Sequence, residues 1–311
     1  MSRNINYFDL GAHTGTEITT FLWHINFLRK NDYLKDCVVN IYGFEPSPII
    51  GFLEERVNAI KASILKNRKD WTDKEKYHPF LSHEIDYLDV FNQMLNKEKT
   101  NLLKTDVENI HIYEKAVTNV EGEFKLFLSE RIEEYTDERV DGGGYDWKKD
   151  GLQPMDYIGS TLFSSKVTGG ININNYKLVD GVIFSKWIKE NIDNFEDSIN
   201  IVKMNIEGSE SMVIGDLIES DMLKHFQIIC GYDLLADVKK IPELENTNEE
   251  FEKMIEDNDI PSRFIHFCSD NLTHTVKDFE QMSERIATES IKKGWEGEGG
   301  DTVIVEIRGN E

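Results

Sequence analysis

The sequence predicts a doubly wound α/β fold, in which helices cover both faces of a mostly parallel sheet. Short runs of β-branched and apolar residues alternate with longer helical patterns along the chain. A turn that contains glycine follows the first of these runs directly. We expect an antiparallel last strand, a small inserted hairpin and a lid. No internal repeat or domain linker interrupts the pattern, which indicates one domain over residues 1–311.

Eight runs have the length and composition of strands, and six have the periodicity of helices. The predicted strands are Asn6–Leu10, Val38–Phe44, Ile110–Ala116, Gly122–Leu128, Ile199–Asn205, Phe226–Gly231, Arg263–Cys268 and Thr302–Ile307. The predicted helices are Glu17–Lys30, Ile50–Leu65, Glu84–Leu95, Phe184–Asn191, Ser209–Ser220 and Asn248–Asp257. Two insertions are expected, a helical one at about residues 66–105 and an irregular loop or lid at about residues 129–176.

The composition argues against several classes of partner. The chain has 35 Lys and Arg against 58 Asp and Glu, which gives a formal net charge of −23. Such a surface repels phosphate backbones and anionic membranes, so we expect no nucleic-acid and no membrane partner. No apolar run approaches the roughly 20 residues that span a bilayer. Its three cysteines are widely spaced, which predicts buried thiols in a reducing compartment and a soluble protein of the cytoplasm. The oligomeric state stays open, a homo-oligomer included.

Two motifs at successive strand ends indicate a nucleoside site. Gly11 and Gly15 flank the turn after the first strand, where glycine lets the backbone approach a ligand closely. This spacing is not GxGxxG, which argues against a nicotinamide dinucleotide. Glu45 ends the next strand, where a carboxylate can accept both hydroxyls of a ribose. Together they predict a ribose nucleoside lying across the carboxyl edge of the sheet.

Four segments resemble, in order, the motifs of the FkbM-type methyltransferases. They are Phe8–Gly15, Tyr42–Pro46, Glu114–Val117 and Ile201–Glu210. The last is the most specific, because a strand ending in Lys-x-Asp-x-Glu-Gly-x-Glu is characteristic of that family. Asn205 stands where the family usually has Asp. The resemblance covers roughly the first two thirds of the chain, and it implies the Rossmann-like fold of class I methyltransferases with S-adenosylmethionine as cofactor.

The resemblance also implies which residues form the cofactor site. The implied cofactor contacts are Asp9, Gly11, Ala12, His13, Gly15, Glu45, Pro46, Ala116, Val117 and Asn205. Among these, Glu45 would take the ribose hydroxyls, and Ala116 and Val117 would lie near the adenine. His13, where the family often has Asn, is expected to order the loop.

The implied reaction moves a methyl group to a hydroxyl of a sugar or glycan precursor. Asn205 and Glu207 would face the transferred methyl, and Glu207 is the first candidate base. A second interpretation stays open, in which Glu207 and Glu210 cap the helix that starts near Ser209.

The segment Gly159–Lys166 resembles a Ser-rich segment of the family and is the predicted substrate lid. Ser160, Thr161 and Lys166 would hydrogen-bond the acceptor or bind a phosphate of an activated sugar. No motif supports a metal site. A Mg²⁺ ion held by Asp233 and Glu207 nevertheless stays open as an additional cofactor.

Two other functions stay open from the sequence. A different nucleotide-dependent α/β enzyme, such as a short-chain dehydrogenase, would need GxGxxG or a Tyr-x-x-x-Lys pair beside a Ser, and no convincing set is present. A catalytically degenerate member of the family would bind the cofactor without turnover. Asn205 is the residue that keeps this alternative open.

Overall fold

A computed structural model of the chain describes residues 3–30, 34, 37–61, 109–129, 157, 159–166, 171–236, 238–266 and 276–295. The predicted helix Glu84–Leu95, the predicted last strand Thr302–Ile307 and the insertion at 66–105 lie outside these residues. Cys268 and most of the predicted lid, residues 130–156 and 167–170, also lie outside them.

The described residues form nine strands and seven α-helices. The strands are β1 (Arg3–Leu10), β2 (Cys37–Phe44), β3 (Ile110–Tyr113), β4 (Ala116–Thr118), β5 (Gly122–Ser129), β6 (Ile171–Ile183), β7 (Ile199–Met204), β8 (Phe226–Gly231) and β9 (Phe264–His266). The helices are α1 (Thr16–Lys30), α2 (Ile50–Lys61), α3 (Phe184–Asn191), α4 (Glu210–Glu219), α5 (Asn248–Asp257), α6 (Ile260–Arg263) and α7 (Val276–Lys292).

Six strands form the main sheet, in the order β3-β2-β1-β7-β8-β9, and every neighbouring pair is parallel. The direction of strand succession therefore reverses between β1 and β7. In open α/β sheets, ligands bind outside the carboxyl ends of the strands at such a reversal. The prediction of an α/β fold with a mostly parallel sheet is confirmed.

Apolar side chains on both faces of the main sheet explain why its central strands are continuously buried. Along β1, Tyr7 stacks on Phe21 of α1, whereas Phe8 packs on the opposite face against Phe184 and Phe226. Helices α1, α2 and α7 contribute to the core on the first face, and α3, α4 and α5 to the core on the second. Strands buried on both faces are typical of parallel sheets that helices cover on two sides.

A second, mixed sheet contains the strands β4, β6 and β5, in that order. β6 pairs antiparallel with β5 and parallel with β4. The expected hairpin is therefore part of a three-stranded sheet with its own small core.

The largest departures from the predicted strands concern the end of the third strand and a strand that was not predicted. The third strand does not run to Ala116 but ends at Tyr113, and Ala116 begins β4 in the second sheet. The residues between them, Glu114 and Lys115, form ion pairs with Lys177 and Asp180 of β6 and so contact the second sheet. Strand β6 begins at Ile171, inside the segment 129–176 that was expected to be irregular. The sequence pattern did not predict this strand, because it contains asparagines 172, 174 and 175 and asparagine is depleted in strands.

Two further expectations concern the cysteines and the absence of membrane-spanning segments. Cys37 and Cys230 are buried free thiols, as predicted. Within the described part of the chain, no helix is both long and apolar enough to cross a membrane.

Candidate active site

The loop after β1 folds over the end of β2. The backbone N–H groups of Gly11 and Ala12 both donate to the carbonyl of Phe44, at 3.0 Å each. Gly11 and His13 have left-handed backbones, with φ of 76° and 47°. The loop therefore turns sharply at two positions, and Gly15 N closes it with a 2.7 Å bond to the carbonyl of Ala12.

Glu45 joins this loop to the end of β2. One carboxylate oxygen of Glu45, Oε2, accepts the backbone N–H of His13 at 2.8 Å, and Oε1 accepts that of Ser47 at 2.8 Å. The residue is only 5% exposed. The two motifs that the sequence predicted to act together are thus in direct contact. Each carboxylate oxygen can accept more than one hydrogen bond, so two backbone donors do not exhaust its capacity.

The end of β7 packs against the same loop from the other side. Asn205 N donates to the carbonyl of Leu10 at 3.1 Å. A Cβ atom on Gly11 would stand only 2.1 Å from the carbonyl oxygen of Asn205, so only glycine fits between the two chain segments. The predicted residues Gly11, Glu45 and Asn205 therefore meet at the carboxyl edge, beside the strand reversal.

Asp9 and Lys203 form a buried ion pair beneath the loop. Lys203 Nζ lies 3.1 Å from Asp9 Oδ1 and donates to the carbonyl of Gly11 at 2.7 Å. Both side chains are at most 1% exposed. Asp9 therefore has no surface for a direct ligand contact, and it acts on the site through the loop above it. Lys203 opens the most specific motif, yet the sequence analysis gave it no role.

Burial raises the pKa of Asp9 to about 6. Removal from water is the largest cause, the Lys203 ammonium opposes it, and the carboxylates of Glu17 and Glu45 raise the pKa further. The Lys203 ammonium, 3.1 Å from Asp9 Oδ1, therefore compensates the charge of this buried carboxylate.

We expect Asp9 to make stability fall as the pH rises. The folded protein holds this proton more tightly than the unfolded chain, so the contribution of Asp9 is greatest below pH 4 and is lost as the pH approaches and passes 6. With a folded pKa of about 6 against 3.8, the loss is about 3 kcal/mol. Urea unfolding from pH 4 to 7 measures the free energy of unfolding against pH. In Asp9→Asn, the part of this pH dependence that comes from Asp9 should be absent. Identical slopes for the two proteins would contradict the pKa.

Glu207 lies in a strained turn between β7 and α4. Its φ is 58°, a left-handed value that is uncommon for a residue other than glycine, and Gly208 follows with φ of 111°. The carboxylate of Glu210 accepts the backbone N–H groups of Ile206 and Gly208, at 2.8 Å each. Glu210 therefore bonds to the turn that precedes α4, whereas the N-terminal cap of that helix, at Ser209, shows no side-chain hydrogen bond. Left-handed backbones at such positions cluster at functional sites.

The predicted substrate residues lie against this turn. Thr161 Oγ1 donates to the carbonyl of Glu207 at 2.7 Å, and the Thr161 backbone pairs with Phe127 of β5. Ser160 Oγ accepts the backbone N–H of Ser129 at 3.1 Å, which ties the segment to the end of β5. Segment 159–166 is therefore bonded to both the second sheet and the candidate base.

Lys166 forms an ion pair with Glu207. Its Nζ contacts Glu207 Oε2 and also donates to the carbonyl of Gly159 at 3.2 Å. The Lys166 side chain is 2% exposed, against 18% for Glu207. The sequence placed both residues in the site but did not foresee this pair, because they are 41 positions apart.

The residues expected near the adenine are not at the edge of the main sheet. Ala116 and Val117 lie in β4 and are 4% exposed, because their side chains fill the cores beside the second sheet. Pro46 does lie at the edge, where its carbonyl accepts Lys177 Nζ at 3.0 Å. Ala116 and Val117 could therefore contact an adenine only through their backbone groups or after a local shift of β4.

The described residues contain no group of three or more His, Cys, Asp or Glu side chains that could hold a metal ion. Asp233, one of the two residues considered for Mg²⁺, accepts the backbone N–H groups of Leu235 and Ala236 at 2.8 and 3.2 Å. Its carboxylate thus orders the loop after β8.

Comparison of the chain with protein families, with curated proteins and with solved structures found no match.

Proposed function

We propose that this chain is an S-adenosylmethionine-dependent O-methyltransferase with the class I methyltransferase fold, which acts on a hydroxyl of a sugar or glycan precursor. The observation that carries the proposal is the 2.8 Å bond from His13 N to Glu45 Oε2. It joins the glycine loop to the carboxylate of the next strand, beside the strand reversal where α/β sheets bind nucleotides. The resemblance to the FkbM-type motifs adds the identity of the cofactor.

The residues of this edge fit that cofactor in charge and shape. Glu17 and Glu45 carry carboxylates close to the neutralised pair Asp9–Lys203, and a negative region favours a sulfonium cation. The close approach of Gly11 to Asn205 keeps the floor of the site free of side-chain bulk. Glu45 would hold the ribose, and the loop from Gly11 to Gly15 would support the methionine end.

The protein's own chemical task is to orient an acceptor hydroxyl and remove its proton. When bound, S-adenosylmethionine supplies an electrophilic methyl group, so alignment of the acceptor accounts for most of the catalysis required. Glu207 would take the proton, since its carboxylate is partly exposed at the edge. Asn205, an uncharged amide, would orient the acceptor or the cofactor without taking part in proton transfer.

Binding of S-adenosylmethionine is the first test of this proposal. Isothermal titration should detect binding of S-adenosylmethionine and S-adenosylhomocysteine, and no binding of NAD. Binding of NAD alone would favour the dehydrogenase. Cofactor binding without methyl transfer to any member of a panel of sugars, glycans and nucleotide sugars would favour the degenerate member.

Glu45→Gln tests the ribose contact specifically. We expect it to weaken S-adenosylhomocysteine binding about tenfold or more, because one charge-assisted hydrogen bond contributes that order. The wild type should discriminate against an S-adenosylhomocysteine analogue that lacks the ribose hydroxyls, whereas Glu45→Gln should not. Glu121→Gln, which removes an exposed carboxylate paired with Lys186, is the matched control and should bind normally. Equal discrimination by wild type and Glu45→Gln would place the ribose elsewhere.

A further inference from the structure

The ammonium of Lys166 is already neutralised within the protein. It is buried, it is paired with the Glu207 carboxylate, and its second contact is the carbonyl of Gly159. To bind an anionic substrate, Lys166 would have to leave Glu207, and an unpaired charge in a partly buried site is strongly unfavourable. The sequence alone had suggested the opposite, a lysine available for the phosphate of an activated sugar.

The remaining charges around the site are predominantly negative. Lys203 is paired with Asp9, while the buried carboxylates of Glu17 and Glu45 stand close enough to raise the pKa of Asp9. On the other side of the turn, Ser165 N donates to Glu243 Oε1 at 3.1 Å, which brings another carboxylate next to the substrate segment. Both features add negative charge around the site, which disfavours the approach of an anion.

We infer that the acceptor of this site is uncharged around its reacting hydroxyl, a neutral sugar or glycan rather than a sugar phosphate or nucleotide sugar. The inference rests on the proposed function, and it narrows the substrate class. Lys166 is already neutralised by Glu207, and like charges brought close together repel, so the carboxylates around the site disfavour an anionic acceptor.

Anion binding tests this inference without any knowledge of the acceptor. Inorganic phosphate and a hexose 6-phosphate are titrated into the wild type, Lys166→Met, Glu207→Gln and the double variant. We expect wild type and Lys166→Met to behave alike. Glu207→Gln, which releases the Lys166 ammonium, should bind both anions about tenfold more tightly, as expected for one charge-assisted contact. The double variant should lose this gain.

Two results would overturn the inference. The first is phosphate binding to the wild type that Lys166→Met abolishes, and the second is the absence of any gain in Glu207→Gln. The first comparison is decisive even if Glu207→Gln does not fold, which thermal melting would reveal. Because no cofactor is present in these titrations, their outcome is independent of the S-adenosylmethionine titration that tests the proposed function.

Discussion

Replacing Gly11 with alanine is expected to lower the free energy of unfolding by about 2–5 kcal/mol, the sum of left-handed backbone strain and forced overpacking. The Gly11 backbone has φ of 76°, and a Cβ atom there would stand 2.1 Å from a carbonyl oxygen of Asn205. Backbone atoms cannot rotate aside as a side chain would, so relief requires β1 and β7 to separate at their carboxyl ends. Urea unfolding followed by circular dichroism measures the loss.

Gly215→Ala is the matched control for this substitution. Gly215 lies in α4, and an added Cβ atom would have no atom within 4 Å. Alanine in a helix is favoured over glycine by about 0.5–1 kcal/mol, so this variant should be slightly more stable than the wild type. A loss below 1 kcal/mol in Gly11→Ala would show that the two strand ends are not packed as closely as described.

The main sheet was largely predictable because the local preferences of its residues and their burial in the tertiary structure favour the same elements. The predicted boundaries of Phe184–Asn191, Phe226–Gly231 and Asn248–Asp257 agree with α3, β8 and α5. In each case a clear apolar pattern coincides with burial on the face that the pattern predicts. Both faces of the sheet are covered, which produces the near-continuous apolar runs from which parallel strands can be recognised.

The second sheet was harder to predict because its pairing is long-range. Ala116 pairs with Gly181, and Phe127 pairs with both Tyr176 and Thr161. Local sequence contains no information on these partners. Asparagines within β6 gave a local impression of a loop, whereas Glu114 and Lys115 were included in the predicted third strand. Tertiary pairing overrode both predictions.

At the candidate site, the sequence identified the residues better than their interactions. Gly11, Glu45 and Glu207 could be singled out because residue type and position after a strand restrict their chemistry. Their partners could not, because Glu45 binds a backbone N–H and Glu207 binds a lysine from a distant segment. Lys203 could have been found from its burial in a strand, since a buried lysine requires a carboxylate partner.

Glu207→Gln is expected to lower kcat by about 10²–10⁴-fold, the usual contribution of a positioned general base. Affinity for S-adenosylmethionine should change by less than about threefold, because Glu45 and the glycine loop, rather than Glu207, carry the proposed cofactor contacts. Methyl-transfer kinetics and titration calorimetry provide the two readouts.

The ion pair with Lys166 requires a control for stability, because Glu207→Gln also leaves a buried ammonium without its carboxylate. The double variant Glu207→Gln with Lys166→Met removes both charges, so it should recover stability while turnover stays low. A stable double variant with restored turnover would make Glu207 a structural partner of Lys166 and not the base. Equal losses of turnover and cofactor affinity in Glu207→Gln would instead indicate that Glu207 shapes the turn before α4, as Glu210 does. Low turnover in a stable double variant, together with turnover retained in Lys166→Met alone, is the outcome expected if Glu207 takes the proton.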